Sequence, residues 1–273
     1  MKKLGFIGGG NMAEALAHGL IVHKVFKPSD LIASDVAAAR RSHLKRKLKI
    51  SVTADNLEVI KHSRTILFAV KPQMLNGVLE SIAAALGPNP KHHRFISIAA
   101  GVPIARMCEY LGPRARVIRV MPNAPAMVGE GMAAIVRSRG ASKSDEAAAL
   151  KIFNSVGDAI ALSDETQLDA VTALSGSGPA YVYLFAKAMI DAAVSEGIPR
   201  ALAAAMTLKT IRGAETMMRS SKLDAGALIK VVASPGGTTV AALRRFAEAG
   251  FSDIVARAIH AAADRSRELG RAR

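Results

Sequence analysis

The segment Gly8-Gly9-Gly10-Asn11-Met12-Ala13 has the residue types and spacing of a phosphate-binding loop. It fits the pattern GxGxxA, with Gly8, Gly10 and Ala13 at the key places. Gly8 permits a tight turn off a strand, Gly10 lets the backbone approach a pyrophosphate, and Ala13 allows close helix-to-strand packing. The pyrophosphate would sit on free N–H groups at the start of the following helix, where Asn11 and Met12 lie. A strand-like run, Leu4-Gly5-Phe6-Ile7, precedes the loop and a helical stretch from Asn11 to His23 follows it. That context distinguishes a dinucleotide site from a plain glycine-rich turn.

The end of the second strand bears on which dinucleotide is bound. Ser34 and Asp35 sit there and pull in opposite directions. An acidic residue reaching the ribose hydroxyls favours NAD, whereas a hydroxyl with nearby arginines suits the 2′-phosphate of NADP. Ser34 with Arg40 and Arg41 leans toward NADP, with NAD as the alternative. Other reactive side chains offer less. His18, His62 and His260 lie on helical stretches without partners at metal-ligand spacing, so no metal site is expected. His92 and His93, after Pro88 and Pro90, read as a solvated loop, and Cys108 as a small buried hydrophobe.

The elements that position these residues alternate. Leu31–Ser34, Thr65–Val70, Arg94–Ile98, Val117–Val120 and Met132–Val136 read as further strands. The unbroken apolar run at 65–70 is that of a strand buried on both faces. Strands alternating with helices imply a mostly parallel, doubly wound α/β sheet with right-handed crossovers. After Leu162 the strand signals stop. Glu165–Leu174, Pro179–Glu196, Ala201–Ser220, Ala225–Val232 and two further segments up to Leu269 read as helices. The expected organisation is therefore a Rossmann domain over 1–162 and an all-helical domain over 163–273.

Composition narrows the class. Hydrophobic residues make up 50 % of the 273-residue chain, but there is no Trp and only three Tyr and eight Phe, so the cores must be largely aliphatic. One cysteine excludes an internal disulfide and fits a reducing, intracellular setting. Asn11, Glu14 and His18 break up any signal-like apolar run after Met1-Lys2-Lys3. No stretch approaches the roughly 18 apolar residues of a membrane span, and a soluble cytoplasmic protein is expected. The net charge of +15 favours anionic partners. Its densest run, Arg40 to Lys49, lacks interleaved aromatics and any nucleic-acid motif, so it reads first as a solvated helix face, with a contribution to cofactor phosphate as the second reading and nucleic acid as the least favoured.

Taken together, several blocks make the chain resemble the pyrroline-5-carboxylate reductase family, within the 6-phosphogluconate dehydrogenase-like superfamily, over essentially its whole length. They are Gly5–Ala13, Ala69-Val70-Lys71-Pro72, Ala99-Ala100-Gly101-Val102 and Arg119–Pro125, then Leu174-Ser175-Gly176-Ser177-Gly178-Pro179-Ala180-Tyr181 and Ser234-Pro235-Gly236-Gly237-Thr238-Thr239. The last two, in this order after a Rossmann half, are the most specific. The resemblance implies reduction of the ring imine of 1-pyrroline-5-carboxylate to L-proline, the last step of proline biosynthesis, with NADPH or NADH. It implies a helical domain that makes a homodimer, with a decamer as a larger assembly. By the same resemblance Gly9, Asn56, Ala69, Val70 and Lys71 line the cofactor, and Ala99 and Asn123 lie near the nicotinamide. Three departures stand out: Ala124, where the family often has Thr, and Ile229 and Lys230, where it commonly has Lys-Asp.

Those residue types suit the substrate, a small ring with one carboxylate and one imine. Ser234–Thr239 reads as a helix start with Pro235 near the first helical position. Free N–H groups of Gly236, Gly237 and Thr238, with the Ser234 hydroxyl, would cradle a carboxylate. Ser177 reads as the N-cap of the helix beyond Gly178, in a loop that by resemblance closes over substrate. Thr239 is the candidate for hydrogen bonding the ring nitrogen; a hydroxyl is poorly matched to act as general acid. Two rivals remain. A β-hydroxyacid dehydrogenase-like oxidoreductase would need a helix lysine such as Lys187 or Lys209 as base, and a non-catalytic dinucleotide-sensing regulator would retain DNA in a steeply salt-dependent way.

Overall fold

The computed structural model describes residues 1–87 and 92–271. Pro88 and Pro90 lie outside the described residues. Among the described residues eight strands form one sheet: β1 (Lys2–Ile7), β2 (Leu31–Ser34), β3 (Ser51–Thr53), β4 (Ser63–Phe68), β5 (Arg94–Ser97), β6 (Arg116–Met121), β7 (Gly131–Arg137) and β8 (Gly157–Ala161). Their spatial order is β3-β2-β1-β4-β5-β6-β7-β8. The first six pair in parallel, whereas β7 runs antiparallel to β6 and β8 parallel to β7. The sheet is thus mostly parallel and doubly wound, and its order reverses beside β1. Ligands of such sheets bind beyond the carboxyl ends of the strands at that switch point.

Alternation along each strand feeds two apolar layers. Leu4, Phe6 and Leu67 face helices α1 (Asn11–Val22), α2 (Ala38–Leu48) and α6 (Lys143–Phe153) through Leu16, Leu20, Leu44 and Phe153. Ile7, Ile66 and Phe68 face α3 (Asn56–His62), α4 (Pro72–Leu86) and α5 (Ile104–Leu111) through Val59, Leu79 and Met107. Gly5 is small because α3 crosses directly over it: a Cβ there would lie 2.4 Å from a Val59 methyl.

Two short strands, β3 and β8, escape the sequence pattern. The first is Ser-Val-Thr, too brief and polar for an apolar run to register. The second begins at Gly157 with φ +145° and follows the Asn154 turn, a loop-like signature.

The packing divides the chain into Met1–Ser177 together with Ala262–Arg273, and Gly178–Ala261. The boundary falls later than Leu162 because the next helix, α7 (Gln167–Val171), belongs to the sheet: Leu168 is fully buried against Ala134 and Val136. The C-terminal turns return to the first unit, where Ser266 Oγ donates to Asp169 at 2.6 Å. The second unit comprises α8 (Gly178–Ser195), α9 (Arg200–Ser220), α10 (Ala225–Val232), α11 (Thr238–Glu248) and the first part of α12 (Phe251–Arg271). No helix among the described residues is long and apolar enough to cross a membrane.

Candidate functional site

The glycine loop leaves β1 as its residue types require. Gly8 adopts φ +95°, and a Cβ on it would stand 2.7 Å from the Ala69 carbonyl oxygen, so any side chain is excluded twice over. Ala13 is buried under the sheet. Gly10 is the extended N-cap of α1, without a side-chain cap, so the first-turn N–H groups at Asn11 and Met12 stay uncovered. A Cβ built on Gly10 would meet nothing within 4 Å. An open approach, bare amides and the positive helix end fit a pyrophosphate.

Around the loop, charged groups brace the backbone. Asp35 accepts the Gly9 N–H at 3.0 Å and the Ala37 N–H at 2.9 Å, so its carboxylate holds the loop and faces the protein's own amides. Arg40 donates to the Gly9 carbonyl and to Glu14. Glu14 also takes His43 at 3.0 Å and Lys47 at 2.8 Å. Burial on its own would raise the Glu14 pKa, but hydrogen bonds from Lys47, His43 and Arg40 outweigh it and hold the carboxyl at about 2. Part of the basic run at 40–49 is therefore an internal clamp on α1. Arg41 instead donates to the Asp35 and Val36 carbonyls at 2.8 and 2.9 Å, on the loop after β2.

Ser34 lies differently from the sequence expectation. Its hydroxyl is buried and donates to the Asn56 side chain at 2.7 Å, with the Phe6 carbonyl at 3.3 Å. It joins Asn56, at the start of α3, to the switch point. Ala69 and Val70 are half-buried at the end of β4, and Lys71 is the exposed N-cap of α4. Ala99, just beyond β5, is buried.

Beyond the ends of β5 and β6 lies an open cavity of about 350 Å³ lined by residues including Asn11, Met12, Ala100, Asn123, Ala124 and Gly176. Ala124 opens a 3₁₀ turn there, where the family's hydroxyl would stand. Asn123 lines the wall, but its amide is occupied. The Oδ1 accepts the Met132 N–H at 2.8 Å, and Nδ2 donates to the Ser175 carbonyl and hydroxyl, both at 3.2 Å.

Two expectations about helix starts are corrected. Ser177 is in right-handed helical geometry at the end of a π-helical turn (Thr172–Gly176), so it is no extended N-cap for α8; its N–H closes onto the Thr172 carbonyl at 2.8 Å. Pro179 lies inside α8 just after Gly178. In the helical unit, α11 starts at Thr238 with Gly237 as N-cap, so Pro235 precedes the helix rather than opening it. Ser234-Pro235-Gly236-Gly237 forms a turn with Gly236 at φ +70°, closed by the Gly237 N–H on the Ser234 carbonyl at 3.0 Å. That removes the Gly237 amide from an anion cradle. The exposed Ser234 hydroxyl and the uncapped first turn at Thr238 and Thr239 remain, and Thr239 is half-buried.

Outside these segments, Lys187 is committed to Asp191 at 2.6 Å. His93 is not the solvated loop residue its neighbours suggest: it stacks on Phe95 at 5.9 Å between centroids and approaches the Ile60 carbonyl at 3.2 Å. Cys108 is half-buried, and burial with the nearby Glu165 charge raises its thiol pKa.

Similarity to known proteins extends over both units. Residues 165–269 match the family model for pyrroline-5-carboxylate reductase dimerisation, and residues 3–101 the model described as NADP oxidoreductase coenzyme F420-dependent. The pyrroline-5-carboxylate reductase of Synechocystis is 40 % identical over 269 residues, covering 98 % of each chain. Among solved structures, a pyrroline-5-carboxylate reductase from Coxiella burnetii superposes with a TM-score of 0.91 at 31 % identity, covering 98 % of both chains. A Plasmodium falciparum pyrroline carboxylate reductase with NADP bound superposes with a TM-score of 0.88 at 33 % identity, again covering 98 % of both. With full-length similarity of this kind joining the glycine loop to the Ser234–Thr239 turn, the chain belongs to the pyrroline-5-carboxylate reductase family.

Proposed function

We propose that this chain reduces the ring imine of 1-pyrroline-5-carboxylate to L-proline at the expense of NADPH, as the last step of proline biosynthesis in the cytoplasm. The observation that carries the cofactor half is the uncapped α1 start behind Gly10, beside a cavity bounded by Asn11, Asn123 and Gly176. When bound, the reduced dinucleotide supplies a hydride to the imine carbon while the ring nitrogen carries one proton, leaving proline and NADP⁺. The protein's own contributions are binding and orientation. Bare amides at Asn11 and Met12 hold the pyrophosphate. Arg41, beside a loop whose Asp35 carboxylate is engaged by backbone amides, favours the 2′-phosphate of NADPH over NADH. Ser234, Gly236 and the uncapped α11 start take the substrate carboxylate, and Ser177 and Gly178 shape the substrate loop. Thr239 hydrogen-bonds the ring nitrogen and sets its angle to the incoming hydride. Most of the acceleration comes from holding the reacting carbons at about 3–3.5 Å. Self-association runs through the helical unit as a dimer, and dimers assemble further into a decamer.

The test is loss of nicotinamide absorbance with 1-pyrroline-5-carboxylate, using NADPH and NADH in parallel. Turnover should be faster with NADPH, and Thr239→Ala should lower kcat/KM by about tenfold or more, the size of a lost site hydrogen bond. No turnover by folded protein that binds either dinucleotide would refute the assignment.

A further inference from the structure

We infer that Asn123 is a positioning residue whose task is to supply the hydrogen-bond donor that Pro179 withholds from the π-helical turn leading into the substrate loop. Within a helix the Ser175 carbonyl would receive the N–H of residue 179, four positions on. That residue is proline and has no N–H. The turn at Thr172–Gly176 is π-helical, which shifts the neighbouring pairing by one residue, with the Ser177 N–H on the Thr172 carbonyl at 2.8 Å. The Ser175 carbonyl therefore lacks its α-helical donor at position 179.

Asn123, at the end of β6, satisfies it. Its orientation is fixed without ambiguity, because only Oδ1 can accept the Met132 N–H at 2.8 Å. Nδ2 is then aimed at the Ser175 carbonyl and hydroxyl, each at 3.2 Å. One amide thus joins β6, the first residues of β7 and the turn. A second contact locks the same junction: a Cβ on Gly176 would lie 2.5 Å from the Met121 methyl, so the turn sits directly on the strand end. Asn123 faces the cavity beside Asn11 and Met12, yet its polar atoms serve the protein.

This inference rests on the proposed reading for its kinetic arm, since that reading gives Ser177 and Gly178 to the substrate. Asn123→Ala should raise KM for 1-pyrroline-5-carboxylate about tenfold, the cost of one lost hydrogen bond to a part-buried carbonyl, while the NADPH dissociation constant stays within about twofold. Asn123→Asp keeps the Met132 acceptor but turns a carboxylate toward the Ser175 carbonyl, and should be at least as impaired. The deciding variant is Asn123→Ala/Pro179→Ala. Restoring a backbone N–H at 179 should recover most of the substrate KM and lower amide exchange across 172–178 relative to Asn123→Ala. If Asn123→Ala alone does not fold, recovery of a cooperative melting transition in the double variant supports the inference equally. No recovery by Pro179→Ala, or a tenfold weaker NADPH affinity with substrate KM unmoved, would overturn the inference and return Asn123 to the cofactor. Absence of turnover by the wild type would sink the functional reading alone, because exchange and melting still decide the role of Asn123.

Discussion

The sheet unit and the helical unit treat apolar residues in opposite ways. In the first, Phe6, Phe68, Phe95, Phe153 and about twenty aliphatic side chains are at most 1 % exposed. In the second, Ala203 and Thr207 are the only buried residues among those described, while Tyr183, Leu184 and Leu208 stand 65, 69 and 63 % exposed. Phe185, Phe246 and Phe251 cluster at 5.3 to 6.4 Å between centroids but keep more than two-fifths of their surface in water. Within one chain these helices bury little of their apolar surface. The first unit is stabilised by its own core, whereas the second completes its core by self-association, the property described by the matching dimerisation model. Stability of the two units should therefore respond to different variables: side-chain volume in one and protein concentration in the other.

The largest test of this contrast charges the open face. Leu184→Asp together with Leu208→Asp would place two carboxylates where a second copy must exclude water, at a cost of several kcal/mol each. Sedimentation or light scattering should show the wild-type oligomer replaced by monomer, and melting of the helical unit should lose its dependence on concentration. An unaltered oligomer would mean that association uses other faces.

The counterpart in the sheet unit is Asp145. It is fully buried at the start of α6, inside a capping box with Ser142, and it binds Arg94 of β5 and Arg116 of β6. Burial would raise its pKa, but Arg116, the Ser142 amide and Arg94 overcome that and hold it far below the carboxylate range. Asp145→Ala leaves two guanidiniums without their carboxylate and should cost about 3–5 kcal/mol by chemical denaturation, independent of protein concentration. The sign with pH follows from the depressed pKa. The contribution is present above the unfolded value near 3.9 and is lost as pH falls below it. A wild-type stability curve that stays flat between pH 5 and 2 would contradict this.

Glu14 extends the comparison to the cofactor end. It gathers Arg40, His43 and Lys47 and so ties α2 to α1 behind the glycine loop. Glu14→Gln should destabilise by about 1–2 kcal/mol at neutral pH, less than Asp145 because Lys47 and His43 reach solvent. Its carboxyl falls from 4.5 to about 2, so wild-type stability should decline through that interval and the variant should lack this part of the decline. Dinucleotide affinity should fall with it, since Arg40 also braces the Gly9 carbonyl.

These residues also show what a sequence can and cannot disclose. Gly8 and Ala13 are legible because a single stereochemical demand, positive φ or close packing, selects the residue type and its position. The roles of Ser34 and Arg40 are not: their types are right for a phosphate, but direction is a matter of χ angles and neighbours. Ser34 turns inward to Asn56 and Arg40 to Glu14. The residue pattern starts α11 too early because Pro235 fits the first helical position equally well as a turn, and only Gly236 at φ +70° separates them. The π-helical turn is invisible in sequence because Thr172–Gly176 carries an ordinary helical pattern, while its contacts with Asn123 and Met121 come from a distant part of the chain. The split at Ser177 is hidden for a related reason: α7 carries a helical pattern like the helices beyond it, and only the burial of Leu168 assigns it to the sheet.

The finest test concerns His93, at the edge of the core that Phe95 anchors. Burial lowers its pKa, the Ile60 carbonyl raises it, and the neighbouring His92 lowers it further, with a net downward shift. Its Nδ1 has no hydrogen-bond partner among the described residues. A neutral ring is therefore favoured in the folded state, and the unfolded chain binds more protons below its pKa near 6.5. Stability should fall gently as pH drops from about 6.5 toward 5, a limb well separated from that of Glu14 and Asp145. His93→Phe removes the unsatisfied nitrogen and keeps the stack on Phe95, but loses the Ile60 contact. These oppose one another, so stability at pH 7 should change by less than about 1 kcal/mol while the limb between pH 6.5 and 5 disappears. A variant that keeps that limb would assign it to another histidine.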